Sequence, residues 1–206
     1  MNQLDLLPIG RKVSQIGLGC GRLVGRSALV QSASIVEAAL DLGIRYFDTA
    51  PSYGMGTAEE VLGHVIGDSK EVVIATKVGI PRPHYSARNS FLRTAYKSLI
   101  DSVPSVNYYA RRFYVSIIKN RLGKTRYRND FSENTISNSI EESLKLLKRD
   151  SVDVLLAHEP CISDLTYETE LLFKNLLNNK TISAFGVGVD AYEDSCYSFG
   201  SIWQSG

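Results

Sequence analysis

Four residues of types that move or steady a proton stand at telling places in this chain. They are Asp48 in Phe47-Asp48-Thr49-Ala50, Tyr53 in Pro51-Ser52-Tyr53-Gly54, Lys77 in Ala75-Thr76-Lys77-Val78 and His158 in Leu156-Ala157-His158-Glu159. Asp48, Lys77 and His158 each close an apolar run that reads as a strand, and Tyr53 follows Asp48 by one short loop. Parallel strands laid side by side would gather all four at one rim, because sites in parallel α/β sheets form at the carboxyl ends of strands. A phenol is a poor acid at neutral pH, with a reference pKa of about 10, and a neighbouring ammonium favours the phenolate. Lys77 is placed to supply that ammonium, with Asp48 holding its charge. Tyr53 could then give a proton to a carbonyl oxygen as it becomes an alkoxide, while His158 hydrogen-bonds and orients the same oxygen. Protonation is half of a carbonyl reduction. The other half is a hydride, which a nicotinamide supplies and side chains do not.

The elements needed to hold such a rim are legible. Leu6 to Leu23 reads as a small hairpin, turning at Gly10-Arg11-Lys12 and running into a first core strand. Ser34 to Leu42 has helical spacing of apolar residues and stops at Gly43. Ile44 to Asp48 is a short strand. Thr57-Ala58-Glu59-Glu60 reads as a capping box that opens a helix reaching about Ile66. Val72 to Lys77 is continuous and β-branched, as a strand buried on both faces should be. A helix is expected from Ser132 to about Arg149, a strand over Val152–His158, a helix over Tyr167–Leu177 and a strand over Ile182–Val189. Such β-α alternation demands a parallel sheet.

The stretch 80–131 breaks this rhythm, being far longer than an ordinary βα loop. It holds eleven Lys/Arg against Asp101 and Asp130, a local charge of +9 in a chain whose formal charge is +1. Two helix-like pieces, Phe91 to Ile100 and Tyr108 to Ile118, lie in it. A solvated insertion is the favoured reading; a nucleic-acid grip would rest on this stretch alone. Composition is that of an ordinary globular protein, 44% hydrophobic and 22% charged. Cys20, Cys161 and Cys196 are widely spaced and make no metal-like cluster with the histidines, which suits reduced thiols in a cytoplasmic protein. No secretory signal is visible at Met1–Asp5 and no run approaches the ~20 apolar residues of a membrane helix.

Several blocks, taken in order, resemble the aldo-keto reductases. They are Ile16-Gly17-Leu18-Gly19, the run Ala39 to Gly54, Ala58 to Gly63, Ala75 to Gly79, Ser139 to Leu144, Val152 to His158 and Phe185-Gly186-Val187. The resemblance implies an α/β fold of (β/α)8 TIM-barrel type, here incomplete, with about five βα units plus an N-terminal hairpin. It implies one partial barrel over 1–206 with an insertion at about 80–131. The family's catalytic tetrad falls on Asp48, Tyr53, Lys77 and His158; Gly19 and Gly21 border the nicotinamide, and Asp48 lies near its ribose. NADP is the implied cofactor, with NAD as the other option, and a small carbonyl or alcohol is the implied substrate. The runs 76–79 and 186–189 look most like the sugar- and pyridoxal-oxidising bacterial branch. The chain departs from the family where Gly188-Val189 replace a Ser-Asn pair, and where the sixth to eighth strands are lacking.

Singly, each tetrad residue has a duller reading as a cap, a salt-bridge partner or a packed ring. Gly17-Leu18-Gly19-Cys20-Gly21 is better read as a barrel strand than as a nucleotide turn, since Arg22 stands where a third glycine belongs. Five strands do not close a barrel. A truncated product is therefore expected, with open sheet edges that self-associate or take a partner chain, and with interior side chains such as Ile74, Leu155 and Val187 laid bare. Two functions follow: an NAD(P)H-dependent carbonyl–alcohol oxidoreductase, or a catalytically silent remnant that serves as an assembly subunit.

Overall fold

The computed structural model describes residues 2–24, 29–83 and 129–189. A hairpin comes first: β1 (Gln3–Leu6) and β2 (Arg11–Ser14) pair antiparallel around a short 3₁₀ turn at Leu7–Ile9. Strands and helices then alternate as β3 (Leu18–Gly19), α1 (Leu29–Asp41), β4 (Tyr46–Asp48), α2 (Ala58–Val65), β5 (Val73–Val78), α3 (Glu133–Leu147), β6 (Val152–His158), α4 (Tyr167–Asn178) and β7 (Ile182–Gly188). The strands β3 to β7 form one sheet in chain order, and each neighbouring pair is parallel. This is the α/β arrangement of an incomplete TIM-type barrel.

The hairpin covers the end of the sheet where strands begin. Arg11 pairs with Asp153, at the start of β6, and donates to the Lys70 carbonyl. Asp153 also accepts the Ile74 N–H at 2.8 Å and an Arg149 N–H at 3.1 Å. Arg149 spends its other donors on the Gly67, Ser69 and Val72 carbonyls. One carboxylate and two guanidiniums thus satisfy backbone groups that strand starts leave open. The opposite end, where strands finish, is free for a site.

Side-chain parity decides what that site is lined with. Successive residues of a strand face opposite ways. Phe47, Ile74, Val78, Leu155 and Ala157 join the core under α1, α2, α3 and α4, together with Val36, Leu62, Ile136, Ile140, Leu147 and Phe173. Each large side chain buried there stabilises the fold by roughly 1.5–3 kcal/mol. Ile74 and Leu155 are fully buried, and Val187 packs against the same core. The expectation that these three line an opened interior is therefore wrong: they are out of phase with Lys77 and His158 and face the helices. The residues in phase with the site are Val73 and Ala75 on β5, Val154 and Leu156 on β6, and Gly186 and Gly188 on β7.

Two helix starts also differ from expectation. Helix α1 begins at Leu29 rather than Ser34, because its first turns pack through small residues, Ser32 and Ala33, that an apolar count overlooks. Ser32 donates to the Val24 carbonyl at 2.8 Å and ties that start down. Thr57 does stand at the N-cap of α2, but its side chain makes no capping hydrogen bond; the hydroxyl donates instead to the Gly54 carbonyl at 2.7 Å. The capping box is therefore absent. Helix α2 approaches α3 closely at Gly63, where a Cβ would fall 2.0 Å from the Leu146 carbonyl oxygen. Of the stretch 80–131, only its ends fall within the described residues, and both helix-like pieces lie outside them. Those ends meet: the Asp130 N–H donates to the Gly79 carbonyl at 2.9 Å, so the chain leaves after β5 and returns to the same place before α3.

Candidate active site

Three strand ends and one turn converge here. Asp48 and His158 are the last residues of β4 and β6, and Lys77 is the last but one of β5. Tyr53 opens a short turn over Tyr53–Gly56 that follows β4. Lys77 forms an ion pair with Asp48 and donates to the Thr49 carbonyl at 3.0 Å. Its ammonium also lies over the Tyr53 ring, 4.4 Å from the centroid, where the π-electrons attract it. The Tyr53 and His158 rings meet edge to face, 5.7 Å apart at 82°. The structure thus brings the four expected residues into one cluster, with the ammonium on the ring face of the phenol.

Burial sets the charges. The Lys77 side chain is 6% exposed and Asp48 is 38% exposed, so the cation is enclosed while its partner opens to solvent. His158 is buried, and that burial, helped by the Lys77 charge, pushes its pKa from 6.5 down to about 4. The imidazole is neutral at pH 7. Its Nδ1 is buried with no hydrogen-bond partner among the described residues. Cys20, buried on the same rim, has its pKa pushed up to about 12, first by burial and then by the Asp48 charge. It stays a thiol and is no nucleophile.

The glycines leave room beside these groups. Gly19 stands opposite Asp48 in the β3–β4 register, and a Cβ at Gly19 or Gly21 would meet nothing within 4 Å. Gly54, by contrast, is required: its φ is +56° and a Cβ would fall 1.7 Å from the Leu23 carbonyl oxygen. Its N–H donates to the Gly21 carbonyl at 3.1 Å, locking the Tyr53 turn to the loop after β3. Two non-glycine residues beside the site adopt left-handed backbone, Met55 at φ 60° and Glu159 at φ 49°. Each such conformation costs roughly 1–2 kcal/mol.

Sequence reasoning missed the groups on the far side of β5. Glu59 is fully buried, yet every lone pair it needs is answered. Thr76 donates to it at 2.5 Å, Ser143 at 3.1 Å, and Arg82 pairs with it. Arg82 also donates to the Gly56 carbonyl at 2.7 Å. Its Nε lies 2.9 Å from Glu142, near enough for an ion pair although the N–H is not aimed along that line. The signal was a hydroxyl residue, Thr76, interrupting an otherwise apolar strand one place before Lys77. Among the described residues no group of histidine, cysteine and carboxylate side chains could hold a metal, and no helix is long and apolar enough to cross a membrane.

Comparison with known proteins accords with this geometry. The family model described as the aldo/keto reductase family matches residues 15–176. A D-threo-aldose 1-dehydrogenase of Pseudomonas sp is 31% identical over 87% of this chain and 51% of that protein. A pyridoxal 4-dehydrogenase of Microbacterium luteolum is 30% identical over 73% of this chain and 41% of that protein. The chain therefore spans about half the length of these curated relatives. An aldo-keto reductase from Bacillus halodurans in its holo form superposes with a TM-score of 0.65 at 23% identity, covering 92% of this chain and 50% of that one. One from Klebsiella pneumoniae, solved in complex with NADPH, gives 0.57 at 22% identity, over 88% and 48%. At such identities these two structures speak for the fold alone.

Proposed function

The chain belongs to the aldo/keto reductase family, and we propose that it interconverts an aldehyde or ketone and an alcohol with NADP(H), or NAD(H), using Tyr53 as proton donor. One observation carries this reading: an enclosed ammonium lies on the Tyr53 ring, with a neutral imidazole at that ring's edge. The surroundings fit a nicotinamide. Gly19 and Gly21 present open backbone where a flat ring could lie, and Asp48 keeps a partly exposed carboxylate for a ribose hydroxyl. When bound, the nicotinamide supplies or accepts the hydride.

The chain's own groups handle the proton. Neutral His158 can hydrogen-bond a carbonyl oxygen and fix its direction without bringing a charge. Tyr53 gives its phenolic proton to that oxygen, and the Lys77 charge stabilises the phenolate left behind. Asp48 offsets the cost of enclosing the ammonium. In the oxidative direction the phenolate takes the alcohol proton back. An aldose or another hydroxylated aldehyde is the substrate class favoured by the likeness to the D-threo-aldose enzyme. The test is to titrate NADPH into the purified chain by fluorescence, and then to follow its oxidation with a panel of small aldehydes and aldoses. Saturable binding and turnover are expected. No fluorescence change and no turnover with any carbonyl would overturn the proposal.

A further inference from the structure

The two turns that carry Tyr53 and His158 are alike in a way their roles do not require. Each contains a non-glycine residue in left-handed backbone, Met55 two places after Tyr53 and Glu159 one place after His158. Each is gripped by a side chain from a distant part of the chain. Arg82 donates to the Gly56 carbonyl at 2.7 Å. The Asn129 amide donates to the Glu159 carbonyl at 2.6 Å and to the His158 carbonyl at 3.2 Å. Neither side chain belongs to the turn it holds. They stand where the chain departs after β5 and where it returns before α3, two ends joined by the Asp130 to Gly79 hydrogen bond. Arg82 is anchored as well by buried Glu59, which also takes the hydroxyl of Thr76, the neighbour of Lys77.

We propose that Arg82 and Asn129 are positioning residues, which hold the phenol and the imidazole in register with Lys77 by fixing the left-handed turns beside them. This rests on the proton-handling reading given above. Neither residue touches the reacting atoms. Without the Arg82 bond, the turn through Met55 and Gly56 relaxes and Tyr53 drifts off the ammonium. Without Asn129, the turn through Glu159 relaxes and His158 loses its direction.

Amide hydrogen exchange tests this without any need for turnover. The Gly54 and Thr57 N–H groups report on the Tyr53 turn, since they donate to Gly21 and Tyr53 carbonyls. The Glu159 N–H, which donates to Gly188, reports on the His158 turn. Arg82→Lys keeps a cation for Glu59 but cannot fork to Gly56. It should speed exchange at Gly54 and Thr57 by about tenfold, the loss of one hydrogen bond, and leave Glu159 unchanged. Asn129→Ala should do the reverse. Adding Met55→Gly to the first variant and Glu159→Gly to the second should restore protection, because glycine takes the left-handed form without strain. In turnover, both single variants should lose kcat by about tenfold with the NADPH KM nearly unchanged. Unchanged exchange in both variants would overturn the proposal, as would equal acceleration along β5, the mark of general loosening. A wild-type chain that oxidises no NADPH would sink the catalytic reading alone, leaving the exchange results to decide the positioning.

Discussion

Two enclosed ion pairs lie on opposite faces of β5, and they are completed to different degrees. On the helix-facing side, Glu59 is fully buried and fully answered by Thr76, Ser143 and Arg82. On the inner side, Lys77 is enclosed, but its partner Asp48 is 38% exposed and its neighbour His158 leaves a buried nitrogen without a partner among the described residues. A buried polar group with no partner costs free energy. The helix-facing side has an orphan of its own, Arg82 Nε, so an unpartnered atom does not set the two sides apart. The partly exposed Asp48 carboxylate does, because it leaves the inner side open to a ligand while Glu59 is sealed. Both pairs hold a buried charge, so a buried charge alone does not separate a structural cluster from a candidate active site; the access of the carboxylate to solvent does.

Exchanging one member of each pair sharpens the contrast. Lys77→Met should lower carbonyl turnover by about a thousandfold, since the charge that stabilises the phenolate is gone, with only a modest change in urea midpoint. Asp48 is solvated enough to stand alone. Glu59→Gln should act the other way, costing about 3 kcal/mol of stability by leaving buried Arg82 with only the exposed Glu142 as a counter-charge. Turnover per folded molecule should fall far less than in Lys77→Met. Equal stability losses in the two variants would erase the distinction.

A gentler probe is pH. The folded imidazole of His158 refuses a proton until about pH 4, whereas an unfolded one accepts it near 6.5. Between those values the unfolded state binds more protons, so stability should rise with pH across the window and level off above it. The contribution lost on acidification reaches the order of 3 kcal/mol near pH 4. Urea midpoints of wild type and His158→Gln, measured from pH 4 to 7, check this: the variant's curve should be flatter.

Much of this was legible beforehand because strands advertise themselves. The ends of β4, β5 and β6 follow from short apolar runs, β-branched in β5, and from those ends the meeting of Asp48, Lys77 and His158 follows. Parity was harder: Ile74 and Leu155 look like any strand residue, and only the register shows that they face the helices. The Thr57–Glu60 spacing promised a capping box, yet Thr57 turned to Gly54 and the neighbouring Glu59 became the buried anchor. Arg82 was hidden among the many cations of 80–131, where local charge said surface and tertiary packing said core. The resemblance gave the tetrad at once, but it gave nothing about the grip of Arg82 and Asn129 on the two turns.

The most direct trial of the account compares Tyr53→Phe with wild type, measuring NADPH-dependent carbonyl reduction alongside NADPH affinity and unfolding. Removing one hydroxyl should cut turnover by about 10²–10⁴-fold while fold and cofactor affinity stay as they were. Equal turnover in the two proteins would mean that the phenol is packing, not proton donor, and the account would fail.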